Sequence, residues 1–110
     1  MKRSAFAKIY ADFSDNNKVY NKLLQATNEV GFSVLQATKH DFYPQGMTAA
    51  IVLSESHVTI HTYPEDKVAY VDCFSCGNIS PDQVLYHFAS LMCGGILSLE
   101  NHDRTVENPL

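Results

Sequence analysis

Residues 47–75 read MTAAIVLSESHVTIHTYPEDKVAYVDCFS, and this segment determines the architecture. It contains three runs rich in β-branched and aromatic residues, at 47–54, 57–63 and 67–75. A Pro-Glu-Asp turn separates the last two runs, and only two residues separate the first two. Links this short join antiparallel neighbours, so the segment predicts three consecutive strands of one antiparallel sheet.

The residues before this segment predict two strands and a helix. Ser14 or Asp15 is a suitable helix cap, and apolar residues then recur at helical spacing until Gly31. The expected elements are a strand at 5–13, a helix at 16–30, an extended segment at 32–41 and a Pro- and Gly-containing loop at 42–46.

The sharpest local signal marks a second helix after residue 75. Ser80 is a suitable cap, Pro81 fits the first helical position, and Gln83 completes a capping box. The apolar stripe of this helix consists of Val84, Leu85, Phe88, Leu91 and Met92, and Gly94-Gly95 follows it. A last strand is predicted at 96–101, and the polar tail to Leu110 is expected to fray.

The predicted order is therefore β-α-β-β-β-β-α-β. Two helices cannot cover both faces of a six-stranded sheet, so we expect a two-layer α/β sandwich of the α+β type. Its sheet is mainly antiparallel, with both helices on one face. The uncovered face must be polar or covered by a partner, and the apolar run Ala49-Ala50-Ile51-Val52 favours a partner. A homodimer is the expected assembly.

The composition of the chain excludes several classes of function. The chain has 110 residues, 45% of them hydrophobic, and a net charge of -4, which predicts one folded domain over 1–110. Without a Lys/Arg cluster it is not expected to bind nucleic acid. No run approaches a membrane span or a signal peptide, so no membrane association and a cytoplasmic location are expected. The odd number of cysteines, three, argues against a disulfide framework.

Titratable and nucleophilic side chains concentrate between Ser54 and Glu65. On a strand, His57, Thr59 and His61 share one face, and the intervening residues take the other. Taken alone, this pattern is typical of a solvated sheet face.

Several familiar chemistries fit these residues poorly. A zinc site built on His57 and His61 lacks a third ligand, and no metal is predicted. Cys73 and Cys76 are spaced as C-x-x-C, but on a strand they point to opposite faces, and no helix starts at the pair as in a redox motif. A hydrolase triad from Ser56, His61 and Asp72 lacks the glycine-flanked strand-turn-helix elbow.

Three blocks of sequence resemble a known family. They are Gly46-Met47-Thr48, then ESHVTIHTYPE at 55–65, then DCFSCG at 72–77. In content and spacing they are similar to the short prokaryotic form of the pyruvoyl-dependent S-adenosylmethionine decarboxylases. The blocks cover 20 of the 110 residues, and the predicted order of strands and helices also resembles that fold.

The resemblance implies a role for each matching residue. Ser56 is the precursor of a pyruvoyl cofactor, and the chain cleaves itself between Glu55 and Ser56 into 1–55 and 56–110. His61 and Thr48 assist this maturation, and Cys76 is the catalytic proton donor. Phe42 and Tyr63 hold the adenine or the sulfonium, and Glu65 takes the ribose hydroxyls. Tyr63 stands where short members commonly have Trp.

The implied chemistry is physically consistent. A decarboxylase needs an electron sink that no ordinary side chain provides. In the expected cleavage the Ser56 hydroxyl attacks the Glu55 carbonyl, and the resulting ester undergoes β-elimination. We expect His61 to lie on the same side of its strand as Ser56 and to act as the base. Thr48 is expected to hydrogen-bond the oxyoxazolidine intermediate.

Alternative functions remain open at this point. The same mechanism could act on ornithine or arginine, with Asp72 or Glu65 holding the distal cation. A non-catalytic relative that regulates a partner is the third hypothesis. In the short form of the family the pocket lies near a dimer interface and takes residues from both subunits, which again implies at least a dimer.

Overall fold

The computed structural model describes residues 2–105, which form one sheet and two helices. The strands are β1 at Arg3–Tyr10, β2 at Val34–Asp41, β3 at Met47–Leu53, β4 at Ser56–Tyr63, β5 at Val68–Ser75 and β6 at Gly95–Asp103. The helices are α1 at Asn16–Glu29 and α2 at Pro81–Leu91, and a short 3-10 turn covers Pro64–Asp66. The predicted order of elements is confirmed, while the predicted fraying of the tail lies largely outside the described residues.

All six strands form one antiparallel sheet in the order β2-β3-β4-β5-β1-β6. Strands β3, β4 and β5 are neighbours, as their short links predict. The helices pack on one face, and the core between the layers is apolar. Its largest fully buried side chains include Phe13, Phe88, Ile9, Leu23, Met47, Ile51 and Ile60. The predicted two-layer α+β sandwich is therefore confirmed.

The two helices begin with different caps. Asp15, not Ser14, caps α1, because its carboxylate accepts a hydrogen bond from the Lys18 backbone N–H at 3.1 Å. The predicted capping box of α2 is wrong, since the Ser80 hydroxyl donates to the Asp82 carboxylate instead of capping the backbone. Pro81 does occupy the start of that helix.

Burial alternates along the strands and defines two faces. In β4, Ser56, Val58 and Ile60 are buried, and the residues between them point outward. We call the outward side the open face, because no helix covers it. It exposes large apolar side chains: Phe6, Tyr10, Val52, Tyr63 and Tyr70. Such a patch is typical of an interaction surface. Neither helix in the part of the chain described is long and apolar enough to cross a membrane.

Candidate active site

A two-residue turn joins β3 to β4 and sets the position of Glu55 and Ser56. Leu53 and Ser56 are paired across this turn, so the chain reverses within Ser54 and Glu55. Glu55 has a φ of +58°, in the left-handed region that non-glycine residues seldom adopt. A backbone held there stores energy on the order of 1–3 kcal/mol. The peptide bond between Glu55 and Ser56 therefore follows a strained residue.

Cys76 approaches both sides of this bond from the end of β5. Its backbone N–H donates to Ser56 Oγ at 3.3 Å, and its thiol donates to the Glu55 carbonyl oxygen at 3.2 Å. The Cys76 Sγ also lies 3.8 Å from Ser56 Oγ. The structure thus brings together the two residues of the expected cleavage site and Cys76, the expected proton donor.

Ser75 explains why Cys76 reaches the turn. The Ser75 side chain is fully buried, and its hydroxyl donates to the Ile79 carbonyl at 2.7 Å. This bond holds the loop between β5 and α2, so that the next residue, Cys76, faces the β3–β4 turn. Ser56 itself is 8% exposed, which removes most competing water from its hydroxyl.

His61 does not lie beside Ser56, and the expectation that both share one side of β4 is wrong. The two residues are five positions apart, an odd number, so they point to opposite faces of the strand. At about 3.3 Å per residue, roughly 17 Å of strand separates them. Within one chain, His61 cannot act on the Ser56 hydroxyl.

Thr48 lies with His61 at the far end of β4. The two residues are directly opposite in β3 and β4, and Thr48 Oγ1 lies 2.8 Å from His61 Nδ1. The hydroxyl orients the imidazole, as the partner of a general base does. The expected pair of maturation helpers is therefore assembled, but at the opposite end of the strand from Ser56.

The residues expected to bind substrate lie beside this pair. Phe42, Tyr63 and Glu65 line a cavity of about 390 Å³ together with Thr48 and His61. Aromatic rings and one carboxylate are the groups that bind a cationic nucleoside. The structure thus gathers five expected site residues at one end of the sheet, and Glu55, Ser56 and Cys76 at the other.

Sequence reasoning missed three neighbours of this cavity. Gln45 Nε2 donates to Glu65 Oε2 at 3.1 Å. The ring of His40 meets the ring of Phe42 edge-on, with centroids 4.8 Å apart. The ring of Tyr70 meets the ring of Tyr63 in the same way, with centroids 5.7 Å apart. Tyr70 and Gln45 come close only through strand register and a turn, which spacing in the sequence does not reveal.

A second cavity, of about 560 Å³, lies beside Ser56. Its lining includes Val52, His57 and Phe74, which alternation places on the open face of β3, β4 and β5. The cluster around Ser56 and the cluster around His61 are therefore both next to the open face. The surface that exposes the apolar patch therefore borders both clusters.

The competing chemistries find no support in this geometry. No group of three potential metal ligands occurs within residues 2–105. A triad from Ser56, His61 and Asp72 is not assembled, because Ser56 is buried on the helix side and the other two side chains are exposed.

The three thiols have different environments, which gives a testable difference in reactivity. Burial, reinforced by the Asp72 carboxylate, raises the pKa of the Cys73 thiol to about 12. Cys76 is half-buried and Cys93 is exposed. Because the thiolate is the reactive form, we expect iodoacetamide to alkylate Cys73 at least about 100-fold more slowly than Cys93 at neutral pH. Peptide mass spectrometry over a time course measures this, and equal rates in the folded protein would contradict the structure.

Comparisons with known proteins agree with the fold. The family model "S-adenosylmethionine decarboxylase" matches residues 8–105. The S-adenosylmethionine decarboxylase proenzyme 2 of Bacillus cereus is 44% identical over 62 residues, 56% of this chain and 50% of that protein. This match thus spans half the length of that relative. The proenzyme of Acidithiobacillus ferrooxidans is 34% identical over 105 residues, 87% of this chain and 79% of that protein.

A solved structure has the same fold. The crystal structure of adenosylmethionine decarboxylase from Aquifex aeolicus superposes with a TM-score of 0.84. The match covers 100% of this chain and 95% of that chain at 20% sequence identity. The sheet and both helices are thus shared over the whole length compared.

Proposed function

Since the chain belongs to the S-adenosylmethionine decarboxylase family, a family of pyruvoyl-dependent lyases, we propose that it decarboxylates S-adenosylmethionine with a pyruvoyl group made from its own Ser56. The observation that carries the proposal is the contact of Cys76 with both the Glu55 carbonyl and the Ser56 hydroxyl. The product of this reaction would supply the aminopropyl group of spermidine.

The chain's own residues provide the first steps of cleavage. Ser56 Oγ attacks the carbonyl carbon of Glu55, and the Cys76 thiol, which donates to that carbonyl oxygen, stabilises the negative charge that develops there. Breaking the C–N bond leaves an ester on Ser56 Oγ and a free amine on residue 56.

The ester then undergoes β-elimination. A base removes the α-proton of residue 56, the C–O bond breaks, and the Glu55 carboxylate leaves with the first fragment. The dehydroalanine that remains tautomerises and hydrolyses with one water, releasing ammonia and leaving a keto-acyl terminus. Residues 1–55 and 56–110 would be the two products.

The residues around position 56 fit a pyruvoyl group. The group supplies an electrophilic carbonyl that accepts the electrons left when carbon dioxide departs. The Cys76 Sγ lies 3.8 Å from Ser56 Oγ, so its thiol would adjoin a pyruvoyl group at position 56 and could donate a proton to the substrate carbon held there. The backbone N–H of Cys76 would lose its Ser56 Oγ acceptor when that oxygen leaves with the Glu55 carboxylate.

The base for elimination comes from a second copy of the chain. In one chain the Thr48–His61 pair lies at the other end of β4 from Ser56, and both ends adjoin the open face. Consider two open faces packed together about a twofold axis that lies between them, at right angles to β4 and level with its midpoint near Thr59. The partner's His61 then faces the backbone of residue 56 from the open-face side, where it can take the α-proton, and symmetry completes the second site in the same way.

The exposed side chains of the open face support this assembly. Phe6, Tyr10 and Val52 are large apolar residues that remain 40–48% exposed. Burying them between two sheets gives the hydrophobic contribution that a stable dimer requires. The homodimer is thus part of the proposed function, because neither chain carries a whole site alone.

The cavity at the Thr48–His61 end fits the nucleoside end of the substrate. Phe42 and Tyr63 offer ring faces to adenine or to the sulfonium, and the Glu65 carboxylate, held by Gln45, accepts from the ribose hydroxyls. The alternative substrates ornithine and arginine have neither group. The relatives described above are all named for S-adenosylmethionine and give the alternatives no support.

The substrate is tested by incubating the purified protein with carboxyl-labelled S-adenosylmethionine, ornithine and arginine in parallel. We expect labelled carbon dioxide from S-adenosylmethionine only, because only this substrate fills the aromatic cavity and reaches the ribose carboxylate. Release from ornithine or arginine alone would reject the proposed substrate. Release from none would favour a non-catalytic relative that acts on a partner.

A further inference from the structure

Tyr70 is an open-face residue next to the nucleoside cavity that has no role so far. It lies in the middle of β5, directly opposite His61 on one side and Lys8 on the other. Its side chain is 48% exposed, so it contributes little to the core. Its ring contacts the ring of Tyr63, the residue diagonally across from it.

The contact between these rings has a favourable geometry. Their centroids are 5.7 Å apart, and the ring planes make an angle of 80°. In this edge-to-face arrangement the positive edge of one ring meets the negative face of the other, which fixes their relative orientation. Tyr63 is the last residue of β4 and is 46% exposed, so the core does not fix its side chain. Tyr70 is the neighbour that restricts it.

We propose that Tyr70 is a positioning residue that holds the Tyr63 ring in the orientation needed to bind the nucleoside or sulfonium of the substrate. This role rests on the proposed function, because it requires Tyr63 to contact S-adenosylmethionine. A ring that is already oriented loses less conformational freedom on binding than a free one. Tyr70 therefore raises affinity without touching the reacting atoms.

The chemistry of the contact predicts which substitutions matter. The edge-to-face pair needs an aromatic ring at position 70 and not its hydroxyl. Tyr70→Phe is therefore expected to bind substrate as the unmutated chain does. In Tyr70→Leu the ring is lost, and KM for S-adenosylmethionine should rise about 2- to 12-fold, the range that such ring pairs contribute. The kcat should stay within about 2-fold, since Tyr70 acts on the orientation of Tyr63 and not on the reacting groups.

A double-substitution cycle separates this role from a general effect on folding. If Tyr70 acts through Tyr63, Tyr70→Leu should have no further effect on KM in a Tyr63→Leu background. Tyr86 on α2 offers a matched control, since it is another exposed tyrosine and lies on the helix layer away from the sheet. Tyr86→Leu should change neither KM nor self-cleavage.

The experiment measures self-cleavage, sedimentation and label release for the unmutated chain and each variant. A Tyr70→Leu protein that cleaves and assembles normally but has a raised KM supports the proposal. It is overturned if KM is unchanged, if the effects of the two substitutions simply add, or if Tyr70→Leu loses its assembly and so marks a dimer contact. If the unmutated chain releases no labelled carbon dioxide from S-adenosylmethionine, the proposed function is wrong, and the role of Tyr70 that depends on it is wrong as well.

Discussion

Ser56→Ala is expected to remain a single uncut chain of 12.3 kDa with no decarboxylase activity. The unmutated protein should instead give two bands of nearly equal size, from residues 1–55 and 56–110. The substitution removes the hydroxyl that lies beside the Glu55 carbonyl and is bonded by the Cys76 backbone N–H. Without that hydroxyl neither the ester nor the keto-acyl terminus can form. Denaturing electrophoresis and intact-mass spectrometry measure the loss of cleavage. Release of labelled carbon dioxide measures the loss of activity.

Ser54→Ala is the matched control for this experiment. Ser54 occupies the same two-residue turn, immediately before Glu55, and its hydroxyl forms none of the hydrogen bonds that link Glu55, Ser56 and Cys76. It should cleave and decarboxylate like the unmutated chain. The proposed function is wrong if purified active protein shows one intact chain, or if residue 56 of the second fragment carries an ordinary amine.

The order of strands and helices could be predicted because the hydrophobic pattern and the turn residues indicate the same elements. Strands β3, β4 and β5 alternate buried and exposed residues, and their links are too short for any crossover. The end of β1 was predicted too late, at residue 13 instead of Tyr10. Residues 11–13 continue the apolar pattern, but the Asp12 carboxylate accepts from the Ser14 backbone N–H and turns the chain toward α1. Such local polar bonds end a strand without changing its hydrophobic pattern.

The sequence predicted which residues belong to the candidate site, but not how the fold arranges them. The sequence blocks identified Glu55, Ser56 and Cys76, and strand register brings them together. His61 was placed wrongly although the spacing itself predicts the face, because side chains alternate along a strand. The five-residue interval reverses the face. Tyr70 could not be found at all, since its neighbour Tyr63 is reached only across the β4–β5 pairing.

The wrong placement of His61 leads to the sharpest test of the assembly. If one chain supplied the whole site, Ser56 and His61 would have to meet within it, and about 17 Å of strand prevents this. If each site takes Ser56 from one chain and His61 from its partner, two defective chains can complement each other. A dimer of Ser56→Ala with His61→Ala carries one site with both residues intact and one site with neither.

Co-expression of Ser56→Ala and His61→Ala is therefore expected to restore cleavage and activity that each variant lacks alone. With random pairing half of the dimers are mixed, and half of their sites are intact, so about one quarter of the unmutated activity should return. Only the His61→Ala chains should be cut, because they alone retain Ser56; an affinity tag of distinct mass on each variant identifies them. Co-expression of Ser56→Ala with Cys76→Ala is the control, and it should restore nothing, since Ser56 and Cys76 act within one chain. Cleavage of His61→Ala by itself, or no activity in the mixed dimers, would overturn the shared site.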